Sequence, residues 1–125
     1  MRVLLVEDSA LLREKLSREL RAIPHLCLVG EAADAGEARD KWRQTSPDLV
    51  VLDLQLKKGT GWDVVASPDC PKAEVVVLTN HSSDAFRKAA RERGLNYFFD
   101  KSTEFDEFLQ TVEELVNKPV SSDRR

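Results

Sequence analysis

The most constraining feature of this chain is the alternation of two kinds of segment along its length. Short apolar runs rich in β-branched residues recur: Val3 to Val6, Leu26 to Val29, Leu49 to Leu52, Val75 to Leu78 and Tyr97 to Phe99. Near-continuous apolar runs of this length suit strands buried on both faces, as in a parallel sheet. Between them lie stretches with helical spacing. Leu12, Leu16, Leu20 and Ile23 share one face, Ala35, Ala38 and Trp42 another. Phe105, Phe108, Leu109, Val112, Leu115 and Val116 form the longest apolar stripe. Strand and helix alternate about five times, which predicts an α/β fold with helices on both faces of a parallel sheet and right-handed crossovers.

Local signals place the boundaries. Asp34 followed by Glu37 reads as a capping box opening the second helix. Gly94 reads as the stop of a helix over Asp84 to Arg93, and Pro47 punctuates the turn into the third strand. The third helix is expected to be short, because Ser67-Pro68-Asp69-Cys70-Pro71 closes it soon after Trp62. Trp42 is expected in the core and Trp62 exposed near the strand ends. Residues 1–118 form the expected domain, and the polar, aperiodic stretch 119–125 a frayed tail.

Bulk properties narrow the function classes. A length of 125 residues fits one domain with its own core. The net charge of −3, from 19 basic and 22 acidic residues, argues against a direct nucleic-acid binder. Neither a membrane-spanning run nor a leader is visible, so a cytoplasmic location without membrane insertion is expected. Cys27 and Cys70 form no CxxC pair and read as free thiols, and His25 and His81 lack partners at metal spacing. Lys57-Lys58-Gly59-Thr60-Gly61 fits neither the P-loop nor the dinucleotide fingerprint and reads as a turn.

In open parallel sheets, ligands bind beyond the carboxyl ends of the strands. Glu7 and Asp8 follow the first apolar run, Asp53 the third, Thr79 and Asn80 the fourth, and Lys101 the fifth. Converging carboxylates repel and need a counter-charge; Mg²⁺, a hard cation suited to carboxylate and phosphate oxygens, is the natural one. A carboxylate can also act as nucleophile and form an acyl phosphate. A lysine supplies a point charge for a phosphoryl oxygen, and a threonine a short hydroxyl.

With Val-Glu-Asp at 6–8, Asp-Leu-Val-Val-Leu-Asp-Leu at 48–54, Val-Leu-Thr at 77–79 and Tyr-Phe-Phe-Asp-Lys at 97–101, the chain resembles the receiver domains of two-component response regulators. The match runs over nearly the whole length. The resemblance implies a three-layer, flavodoxin-like, doubly wound five-stranded sheet in the order 2-1-3-4-5. It implies Asp53 as phosphoacceptor, and Glu7, Asp8, Asp53 and the main-chain carbonyl of Gln55 as Mg²⁺ ligands. Thr79 would be the switch hydroxyl, Tyr97 the switch aromatic and Lys101 the phosphate-binding cation. The donor would be the phosphohistidine of a sensor kinase or a phosphotransfer protein. A downstream protein would read the face of the fourth helix, fifth strand and fifth helix, with homodimerisation left open. Such a domain is a phosphoacceptor rather than an enzyme.

Three positions depart from that pattern. Asn80 stands where a small residue is usual, which predicts slower access to Asp53. Ser102 stands where proline is usual, so the family's cis peptide is less favoured, the cis form costing roughly 2.5–4 kcal/mol without proline. Lys57 and Lys58 stand where proline is common. Rival readings are a pseudo-receiver that binds partners without phosphate, a Mg²⁺-dependent aspartyl-phosphate phosphatase, and a flavin-binding relative. The phosphatase would want a second carboxylate at Gln55, and the flavin protein a phosphate loop where Glu7 and Asp8 stand. No DNA-binding or enzymatic domain is read after residue 118; the expectation is a stand-alone regulator, which the short polar tail favours, or a fragment of a longer one.

Overall fold

The computed structural model describes residues 1–118; the tail expected at 119–125 lies outside the described residues. The elements are β1 (Arg2–Val6), α1 (Ala10–Arg21), β2 (Cys27–Ala32), α2 (Ala35–Thr45), β3 (Leu49–Leu52), α3 (Gly61–Val65), β4 (Glu74–Thr79), α4 (Asp84–Glu92), β5 (Tyr97–Asp100) and α5 (Phe105–Asn117). All pairings are parallel, and the strands run β2-β1-β3-β4-β5, the order the resemblance implies.

Alternation along the strands sorts side chains into two cores. Val3, Leu5, Val51, Val76 and Leu78 pack with Leu16 and Leu20 of α1 and Phe108 and Val112 of α5. Leu4, Val6, Val50, Leu52 and Val77 pack with Ala38 and Trp42 of α2, Val64 of α3 and Ala90 of α4. The central strand β3 is buried along its whole length, which is why it carries no polar residue until Asp53.

Several details differ from the sequence reading. The second strand runs Cys27–Ala32 rather than from Leu26 to Val29. It is an edge strand of half-exposed residues, so Gly30 and Glu31 are accommodated there without a continuous apolar run. The α2 cap is only half a capping box. Asp34 accepts from Glu37 N at 2.8 Å, but the Glu37 carboxylate accepts from Ala33 N, one residue upstream of the cap. The reciprocal box sits instead on α3, where Thr60 accepts from Asp63 N and Asp63 accepts from Thr60 N, each at 3.2 Å. Two further expectations hold: α3 is only five residues long, and α4, ending at Glu92 rather than Arg93, stops before Gly94, which takes a φ of 77° that an L side chain disfavours.

Trp42 is buried, its indole N–H donating to the Pro71 carbonyl at 2.6 Å. Trp62 is half-buried rather than exposed, stacked on Phe86 and covered by the Arg93 guanidinium. Cys27 and Cys70 are free thiols. Among the described residues no peptide bond is cis, and no helix is long and apolar enough to cross a membrane.

Candidate functional site

Hydrogen bonding carries the sheet ladder one residue past each strand end and so aims the acids. Glu7 N donates to Ala32 O at 2.9 Å, and Asp53 N donates to Val6 O at 3.1 Å. These two bonds hold Glu7 and Asp53 side by side at the carboxyl edge. One carboxylate oxygen from each of Glu7, Asp8 and Asp53 lies within 4.8 Å of the others. Glu7 and Asp53 are buried, whereas Asp8 is half-buried.

Lys101 completes the cluster. Its Nζ lies 2.7 Å from Glu7 Oε1 and 2.8 Å from Asp53 Oδ2. Its backbone N–H donates to Thr79 O at 3.0 Å, continuing the pairing of β4 with β5. The free carboxylate oxygens are partly occupied by the main chain: Ser9 N donates to Glu7 Oε2, and Gln55 N to Asp53 Oδ1. Burial pushes the Glu7 carboxyl up, against the opposing pull of Lys101 and the Ser9 amide. Burial alone would lower the Lys101 ammonium, but its hydrogen bonds to Asp53 and Glu7 outweigh that and raise it. Three carboxylates against one ammonium leave two negative charges over at the carboxyl edge of the sheet. A set of hard oxygen donors with that excess fits a divalent cation of the Mg²⁺ type.

Thr79 is fully buried, and its Oγ1 accepts from His81 N at 3.1 Å. Alternation puts its side chain on the face of Val77, toward α4. Tyr97 lies on the opposite face, packed with the α1 and α5 core, so the structure does not bring it to Thr79. The aromatic on the Thr79 face is Phe98, which packs with the other core and lies under the Arg87 guanidinium. Tyr97 thus stands one residue off the Thr79 face, and in a strand one residue is a change of face.

Two contributors were not anticipated. Arg13 donates to the Glu7 carbonyl at 2.8 Å and pairs with Glu31, tying α1 to the first acid loop. Gly61 opens α3 directly on the peptide of Asp53: a Cβ there would meet Asp53 O at 2.5 Å and Leu54 Cα at 2.9 Å. Both obstacles are backbone, so they cannot rotate away. Gly61→Ala should cost about 2 kcal/mol in a urea melt, a typical overpacking penalty, and wild-type stability would refute the close approach.

A doubly wound sheet with an acid cluster, a hydroxyl and a lysine at its carboxyl edge defines an open α/β domain whose ligand site lies beyond the strand ends. Residues 3–113 match the model of the response regulator receiver domain, and the chain belongs to that family. It is 31% identical over 118 residues to the transcriptional regulatory protein PdtaR of Mycobacterium tuberculosis, spanning 94% of this chain and 57% of that one. It is 32% identical to protein-glutamate methylesterase/protein-glutamine glutaminase 2 of Shewanella sp. MR-7, spanning 93% and 35%. The chain thus covers between about a third and somewhat over half of these relatives. Among solved structures, a LuxR-family response regulator from Aurantimonas sp. SI85-9A1 aligns with a TM-score of 0.80 at 33% identity, over 92% of this chain and 84% of that one. The receiver domain of the putative response regulator NarL from Mycobacterium tuberculosis aligns with a TM-score of 0.80 at 27% identity, over 94% and 96%.

Proposed function

We propose that this chain accepts a phosphoryl group on Asp53 from a phosphohistidine donor and thereby switches the binding of a protein partner. The observation that carries this reading is the Lys101 ammonium bridging Asp53 and Glu7 at 2.8 and 2.7 Å inside the three-carboxylate cluster. Glu7, Asp8, Asp53 and the Gln55 carbonyl would hold Mg²⁺, which when bound supplies charge neutralisation for an incoming phosphate. Asp53 attacks phosphorus through a carboxylate oxygen, the phosphorus–nitrogen bond to the donor histidine breaks, and the imidazole leaves with the bonding pair. Lys101 turns its charge to a phosphoryl oxygen. Asn80 stands exposed beside the Thr79 strand end, with Ser102 Oγ 3.5 Å from its Oδ1. A side chain of that size at the strand end, in place of a small one, supports slow transfer.

The switch follows from the hydroxyl. Thr79 Oγ1 now holds the His81 amide. Turning toward a phosphoryl oxygen gives that bond up and frees the segment that leads into α4. The His81 ring packs 5.7 Å from Phe86, so the disturbance reaches the aromatic stack between α3 and α4. We assign the responding aromatic to Phe98, in place of Tyr97, because Phe98 shares the Thr79 face. A downstream protein would read α4, β5 and α5. The function is that of a cytoplasmic phosphoacceptor rather than of an enzyme turning over a substrate.

The test is incubation with beryllofluoride and Mg²⁺, followed by intact-mass and fluorine resonance measurements. One adduct per chain is expected, and chelation of Mg²⁺ should prevent it. An unmodified protein under these conditions favours the pseudo-receiver reading and overturns this one.

A further inference from the structure

We propose that Asp100 is a positioning residue for Lys101: its carboxylate folds the turn after β5 into the shape that delivers the ammonium to Asp53 and Glu7. The inference rests on the receiver reading of that lysine. Lys101 is the first residue beyond β5, and its backbone is the root of a flexible four-carbon stem. Where the root points decides whether the ammonium reaches the acids.

Every polar group of Asp100 is hydrogen-bonded, all but one carboxylate oxygen within that turn. One carboxylate oxygen, Oδ1, accepts from Ser102 N at 2.7 Å and from Thr103 N at 3.1 Å. The other, Oδ2, accepts from the Ser82 hydroxyl. Asp100 N donates to Glu104 Oε1 at 2.9 Å, and Asp100 O accepts from Glu104 N at 2.9 Å. These bonds close around Lys101 and leave its side chain to Asp53 and Glu7. The Ser102 amide is a donor that a proline at that position would lack, and Asp100 is what satisfies it.

The same carboxylate joins the two segments that leave the functional edge. Ser82 lies three residues after Thr79, so the bond from Ser82 to Asp100 ties the β4–α4 segment to the β5–α5 turn. Arg87 reinforces the tie, donating to Glu104 Oε1 at 2.6 Å and to the Ser82 carbonyl at 3.2 Å. The Ser82 hydroxyl first, then the Ser102 amide, hold the Asp100 carboxyl below its usual range, so the acceptor is the ionised form. A merely structural Asp100 would affect stability alone. A positioning one must change what Lys101 does.

The full chain carrying Asp100→Val or Asp100→Asn separates the two. Asparagine keeps an oxygen for the Ser102 and Thr103 amides; valine accepts nothing. The first readout needs no phosphate: the exchange-protected side-chain ammonium signal of Lys101 in magnetic resonance. It should persist in wild type and Asp100→Asn and vanish in Asp100→Val. The second is beryllofluoride at saturating Mg²⁺. Half-saturation should rise about tenfold in Asp100→Val and no more than about threefold in Asp100→Asn, while Mg²⁺ affinity should fall in neither variant and should rise in Asp100→Val, where the ammonium no longer competes for the acids. Should Asp100→Val not fold, Ser82→Ala takes its place, with an expected loss of about threefold. The proposal is overturned if the valine variant keeps the Lys101 signal and its half-saturation, or if asparagine fails as badly as valine. Wild-type protein that takes no beryllofluoride would sink the receiver reading, while the Lys101 signal would still decide the role of Asp100.

Discussion

Asp53→Asn should abolish the beryllofluoride adduct outright and weaken Mg²⁺ binding by about tenfold or more, roughly 1.4 kcal/mol, without unfolding the chain. An amide is neither a nucleophile at phosphorus nor an anionic ligand, so both losses have one cause. The fold should survive for local reasons. Asparagine matches aspartate in size at a position only 5% exposed. Its side-chain oxygen can still accept from Gln55 N, the 3.2 Å bond that orients the carboxylate now. Lys101 keeps Glu7 at 2.7 Å and is not left as an isolated cation. Intact-mass measurement with beryllofluoride, calorimetric titration with Mg²⁺ and circular dichroism read the three outcomes separately. An adduct that persists in Asp53→Asn would place the acceptor elsewhere and break the assignment of the site.

That Asp53 could be singled out from the sequence reflects where it stands. It ends a run whose four strand residues are all buried, so its charge needs a partner or a task. The strands β1, β3 and β4 were legible for the same reason: burial on both faces leaves an unbroken apolar string. The edge strand β2 carries no such constraint, and its extension through Gly30 and Glu31 left no mark in composition. The acids, Thr79 and Lys101 were legible only as strand-end residues, because their convergence comes from the parallel topology and not from spacing. Tyr97 and Phe98 show the limit. Tyr97-Phe98-Phe99 is aromatic throughout, so it does not reveal which residue faces α4, and only the pairing of Val76 with Tyr97 and Val77 with Phe98 decides it. Gly61 was read as part of a lysine- and glycine-rich turn; its contact with the Asp53 peptide is set by where α3 docks, which no local pattern encodes.

Lys101→Met should separate the two roles of the cluster by moving them in opposite directions. Methionine fills the stem volume but supplies no charge. Glu7 and Asp53, 2% and 5% exposed, then face each other without a cation. Removing one partner of a buried ionic group typically costs 3–5 kcal/mol. Here the half-buried Asp8 side admits some water, so about 2–3 kcal/mol is expected in a metal-free urea melt. Mg²⁺ should then bind the variant more tightly than wild type, since it no longer competes with an ammonium for Glu7 Oε1 and Asp53 Oδ2 and meets one more uncompensated negative charge. Millimolar Mg²⁺ should therefore restore more stability to Lys101→Met than it adds to wild type, because a ligand of the native state at free concentration L stabilises by RT ln(1 + L/Kd), which grows as Kd falls. Beryllofluoride should behave in the reverse sense, with affinity reduced about tenfold or more for want of the cation that meets its outer atoms. Asp53→Asn weakens metal and adduct together, whereas Lys101→Met strengthens the first and weakens the second. A lysine that merely covered the acids would lose neither adduct nor specificity on replacement. Weaker Mg²⁺ binding in Lys101→Met would mean that the ammonium organises the acids for the metal instead of competing with it.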